Sequence, residues 1–135
     1  MSSATPALSS PFHVDFTLSE AQIALDALAE HTGLSKQKIK DAMNKGACWH
    51  HYKGKQLRLR RASKLLAAGT RLQLFYDAKV LALQPAKAEL LQDHGRYSLW
   101  FKPHGLLAQG SQWGDHCSLL RQAEQWHQRE VFLVH

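Results

Sequence analysis

Cysteine is scarce in this chain of 135 residues: only Cys48 and Cys117 are present, far apart. That argues against a disulfide scaffold and makes a reducing cytoplasm the expected compartment. No apolar run approaches the ~18 residues needed to span a bilayer. The opening MSSATPALSSPF has neither a basic n-region nor an apolar h-region, and residues 1–14 read as a Ser/Pro-rich disordered tail. Glycine-rich phosphate loops are missing, as are Ser-His-Asp and Cys-His nucleophile motifs. Nine histidines occur, but the nearest ligand set, Cys48, His50, His116 and Cys117, meets no zinc spacing. The reading therefore calls for no metal and no cofactor.

Acid is what one stretch lacks most. Between Lys36 and Arg71 stand eleven basic residues against the single acid Asp41, a local charge of +10. The whole chain is +6, so the other ninety-nine residues sum to −4 and the basicity belongs to one surface. Such a surface asks for a polyanion, and nucleic acid is the commonest one. The arginines alternate with apolar residues at strand period, which argues against a basic amphipathic helix on a membrane. The hydrophobic content of 44% is that of a globular protein.

Thr17-x-x-Glu20 and Ser19-x-x-Gln22 both fit a capping box, so the first structured element is predicted to be a helix starting near residues 17–19. Its buried face is Ile23, Ala24, Ala27 and Leu28, and Gly33 stops it. Ser35 can cap a second helix whose stripe is Ile39, Ala42 and Met43, with Lys36 and Lys40 on another face. After Gly46 the period becomes extended. Residues 47–51 and 56–60 flank a turn at Tyr52-Lys53-Gly54-Lys55, and Leu57 and Leu59 are predicted to face inward with Arg58 and Arg60 on one outer face. A third strand covers residues 71–76. Residues 78–95 read as a linker. Beyond it are predicted a strand at 97–101, a tight turn at Lys102-Pro103-His104-Gly105, a helix at 117–128 and a buried strand at 131–134. Because that last strand runs to the final residue, the second module is expected to be incomplete.

The stretch Leu34-Ser35-Lys36-Gln37-Lys38-Ile39-Lys40, then Lys45-Gly46-Ala47, a basic strand pair and Ala68-Gly69-Thr70-Arg71-Leu72 resemble the S4 RNA-binding domain. Lysine follows Ser35 where S4 domains often carry arginine, which keeps the charge but not the bidentate geometry. The stretch from Tyr97 through Lys102-Pro103-His104-Gly105 to Leu107 resembles the start of the catalytic domain of RluA-type RNA pseudouridine synthases. Phe132-Leu133-Val134-His135 is similar to the lead-in to that family's His-Arg-Leu-Asp motif.

The resemblance implies an α+β chain. An S4-like domain at 15–77, with two helices packed on a short antiparallel sheet, precedes a mainly β fragment of a synthase domain at 96–135. It implies RNA (rRNA or tRNA) as partner, a monomer, and isomerisation of uridine to pseudouridine as the family's activity. The catalytic aspartate would follow His135, so the residues given are expected to bind RNA without isomerising it. Phosphate contacts are expected from Lys36, Lys40, Lys45, Arg58, Arg60 and Arg61. Lys102, Pro103, Gly105 and His135 are placed at the active-site edge in a structural role. Lys53 and Lys55 fit either RNA contact or a soluble hairpin tip, and Trp49 and Tyr52 can stack on bases, with Trp49 equally suited to the core. A ribosomal-RNA-binding S4 protein without enzymatic activity is the alternative. A DNA-reading helix-turn-helix around Gly33 fits less well, because the charge continues into the strands.

Overall fold

A computed structural model describes residues 11–134. The chain is a mixed α/β protein whose strand ladders are all antiparallel, with four helices among the described residues. It divides into two compact units. The first comprises residues 11–82 with Gln112–Gly114, and the second residues 83–111 and 115–134.

In the first unit β1 (Phe12–Thr17) lies where the tail and the first helix cap were expected. Its Phe12, Val14 and Phe16 alternate with His13, Asp15 and Thr17, a period of two that suits a half-buried strand. A short β2 (Gln22–Ile23) follows, then α1 (Ala24–Thr32), so the helix begins later than the capping boxes suggest. The reason is local. Ile23 offers no side-chain cap, and the first-turn amides of Ala24 and Leu25 donate instead to Lys64 O and Ala62 O at 2.9 and 3.0 Å. Gly33, at φ 74°, ends α1, and its amide donates to Ala29 O.

Helix α2 (Lys36–Asn44) is capped as expected by Ser35, whose hydroxyl accepts from Lys38 N at 3.2 Å. The ladder continues with β3 (Cys48–Tyr52), β4 (Lys55–Arg58), β5 (Leu65–Leu66) and β6 (Arg71–Tyr76). β1, β6, β3 and β4 form one sheet in that order, while β2 pairs with β5. Tyr52 opposes Lys55, so Lys53-Gly54 is a two-residue loop with φ of 51° and 80°, the left-handed pair of a type I′ hairpin. One face of the sheet joins the stripes of both helices in a single core built on Leu28, Ile39, Met43, Cys48, Leu72 and Leu74, all fully buried. A short α3 (Ala78–Leu81), capped by Asp77, and β7 (Glu89–Asp93) occupy much of the stretch expected to be a linker.

The second unit pairs β7 with β8 (Ser98–Phe101) and adds α4 (Leu119–His127). Ser118 caps α4 by accepting from Arg121 N at 3.1 Å. The helix is tied to the hairpin region by a Trp100–Trp126 edge contact at 6.1 Å. Gln122 adds two bonds, accepting from Ala88 N and donating to Ala86 O. The buried strand expected at 131–134 does not form. Phe132 and Val134 are 81% and 93% exposed, because no described strand pairs with this apolar run.

Candidate nucleic-acid interface

Eleven cations within thirty-six residues repel one another unless they are spread or partnered, and the fold does both. Lys36, at the start of α2, lies 3.3 Å from Asp26 with both side chains largely in solvent. Lys40 stands exposed one turn later on the same helix, and no described residue pairs with it. Arg61 is exposed as well, with Nε donating to Ser63 Oγ at 3.4 Å.

The other three expected phosphate contacts gather at the opposite end of α2. Lys45 Nζ sits 3.2 Å from Asp41 and donates to Leu81 O at 2.8 Å. Arg58 donates to Gly46 O, and Arg60 to Asn44 O at 3.1 Å. Arg58 and Arg60 place positive charge where α2 leaves its carbonyls unsatisfied and its dipole is negative, while the Lys45 ammonium bonds the last residue of α3. Arg58 also lies over the Trp49 ring, 4.2 Å from its centroid.

The expected outer stripe of Arg58 and Arg60 therefore takes a different form. β4 ends at Arg58, Leu59 turns into the core, and both guanidinium groups fold back onto the end of α2. Leu57 opposes His50 on the helix-side face, yet it is 55% exposed because the core does not extend beneath this edge of the sheet.

Arg71 makes a two-pronged pair with Asp15, with Nε to Oδ1 at 2.7 Å. Gln73 also donates to Asp15, and His51 Nε2 lies 2.7 Å from Gln73 Oε1, so the network crosses β1, β6 and β3. The Arg71 hydrogen bonds hold the Asp15 carboxyl down at about 2. Two acids outside the basic segment, Asp26 and Asp15, thus meet two of its cations.

Burial pushes the Cys48 thiol up to about 12, so it is a core group and not a nucleophile at neutral pH. Trp49 donates from Nε1 to Gln112 O at 3.1 Å, and with Arg58 on its ring it serves the protein's own packing. Tyr52 is the more open of the two aromatics. In the second unit Lys102 Nζ donates to Leu106 O at 2.9 Å, Leu106 N donates to Pro103 O, and Gly105 has φ of 89°. Lys102, Pro103 and Gly105 thus close one turn, a structural role. His135 lies outside the described residues.

Among the described residues no group of three or more His, Cys, Asp or Glu side chains could hold a metal ion. None of their helices is long and apolar enough to cross a membrane. No family model matches the chain, and neither a curated protein nor a solved structure is significantly similar to it.

Proposed function

We propose that the first unit is an S4-type RNA-binding module and that its ligand lies along α2 and the β3–β4 hairpin. The observation that carries this reading is the +10 balance of the segment from Lys36 to Arg71, with Lys36, Lys40 and Arg61 exposed to solvent. Lys45, Arg58 and Arg60 support the same surface from the end of α2.

The resemblance of residues 97–107 and 132–135 extends the proposal: the chain is of the RluA pseudouridine synthase type, with the second unit as the start of the catalytic domain. Neither aspartate of that unit suits the family's catalytic role, since Asp93 accepts from Gly95 N in the β7–β8 turn and Asp115 is buried. For the residues given, the proposed activity is RNA binding.

The test is competition between a structured RNA hairpin and duplex DNA of equal length, read by fluorescence anisotropy over a salt series. RNA is expected to win, and the triple substitution of Lys36, Lys40 and Arg61 by alanine should flatten the log-log salt slope by roughly 0.7 per lost contact on single strands. Equal affinity for duplex DNA, or an unchanged slope, would refute the reading.

A further inference from the structure

Large apolar side chains are not expected to sit exposed in the most charged part of a protein. Three do so here, with Tyr52, Leu57 and Leu65 being 41%, 55% and 66% exposed. They share one cavity of about 360 Å³, whose lining also includes Lys55, Lys64 and His50. That volume falls within the roughly 300–1,000 Å³ of small-ligand sites. The pieces come from β3, β4 and the segment at β5, which meet at the edge where the helices no longer cover the sheet.

The chemistry of the lining is mixed in a particular way. An aromatic ring and three leucines supply apolar wall, and Lys55 and Lys64 supply two ammonium groups that no described residue pairs with. Lys53 Nζ, outside the lining, lies 5.4 Å from the centroid of the Tyr52 ring. No carboxylate lines the cavity. A larger cavity of about 630 Å³ in the second unit, between Trp100 and Trp126, lacks this bias because Lys87 there is balanced by Glu89.

We propose that the cavity holds one nucleotide of a single-stranded RNA segment, with its base against Tyr52 and Leu57 and its phosphate on Lys55 and Lys64. The assignment rests on the RNA-binding reading above and adds to it a site for an unpaired nucleotide. Apolar surface beside paired cations matches the two parts of a nucleotide, a flat base and an anion, and base–aromatic stacking tolerates any base. Burial, and after it the charges of Lys64 and His51, holds the His50 imidazole below the ordinary histidine range.

The experiment uses the full chain and two RNAs, a blunt hairpin and the same hairpin with a six-nucleotide single-stranded uridine tail. Anisotropy gives the affinity ratio, and the ring-proton signals of His50 give the location. The tailed RNA is expected to bind more tightly and to shift His50, whereas the blunt one leaves those signals in place. Tyr52→Ala should cut the tail advantage by roughly fivefold or more, and Lys64→Gln, at an exposed residue where folding is not at risk, should reduce the same ratio. A thermal melt of each variant confirms that it is folded. If the blunt hairpin binds but the tail adds nothing, or its advantage survives both substitutions, the nucleotide site is refuted while RNA binding stands. If neither RNA binds the unsubstituted chain, the RNA-binding reading itself fails.

Discussion

Arg58 and Lys40 carry the same charge on the same surface, yet their surroundings give them separable roles, which a pair of substitutions can read. Arg58→Gln removes a charge-assisted bond to Gly46 O at the end of α2 and the stack over Trp49. The first is worth about 1.5–3 kcal/mol for a charged donor, with the lower end appropriate to a half-buried side chain. The second adds about 0.5–1 kcal/mol, the lower part of the range, at a ring that is only half-buried. A loss of about 2 kcal/mol follows. In a unit of this size 1 kcal/mol moves Tm by about 4–8 °C, so the melting temperature should fall by roughly 8–16 °C.

Lys40→Gln removes a solvent-facing ammonium, and its effect on stability should stay within about 0.5 kcal/mol. Its effect on binding should be the larger one, a salt slope flatter by roughly 0.7. Differential scanning calorimetry and an RNA titration at four salt concentrations give both quantities for both variants. If Arg58→Gln melts within about 2 °C of the parent and flattens the slope as much as Lys40→Gln does, Arg58 is a ligand contact and the helix-end assignment is wrong.

Three further outcomes are expected. Asp15 is held below its unfolded-state value near 3.8 by Arg71, so the pair's contribution is fully present above that pH and is lost as pH falls through about 2. The network is near the surface, which limits the loss to about 0.5–1 kcal/mol; Asp15→Asn should remove the pH 5 to pH 2 difference in urea midpoint that this pair causes. Lys53 takes a left-handed φ that suits Asn better, so Lys53→Asn should stabilise the hairpin by about 0.5–1 kcal/mol, visible as a higher Tm, and a lower one would contradict the type I′ assignment. Amides of β7 and β8 form a two-stranded ladder over a thin core, and they should exchange with deuterium faster than those of β3 and β6; equal protection would show a more cohesive second unit.

The helices were legible where local chemistry decides them. Ser35 and the stripe Ile39, Ala42 and Met43 define α2 without outside help. The start of α1 was not, because the groups that satisfy its first amides belong to Ala62 and Lys64, far along the chain. β1 shows its alternation in Phe12, Val14 and Phe16, but a Ser/Pro-rich neighbourhood and a pairing strand beginning at Arg71 conceal it. The run 131–134 has the composition of a strand without a described partner, and composition alone does not make a ladder. Basic residues could be counted from the sequence, but which of them the fold keeps for itself could not. Arg58 and Arg60 donate to Gly46 O and Asn44 O at the end of α2, and Lys45 to Leu81 O of α3, acceptors that only the packed fold brings within reach. The cavity was still less visible, since Lys64 has no periodic signal and meets Tyr52 and Lys55 only after β5 folds back.

The pairing of β1 with β6 also fixes an order of events during synthesis. Thr17 meets Arg71 and Phe12 meets Tyr76, so β1 leaves the ribosome well before β6 and waits for it before it has a neighbour. The β3–β4 hairpin can close as soon as Lys55 to Arg58 emerge. For all that interval Phe12, Val14 and Phe16 have no sheet to lie against, and the edge that β1 will cover does not yet exist. A nascent chain stopped between the hairpin and β6 would therefore present its basic segment before its sheet is complete.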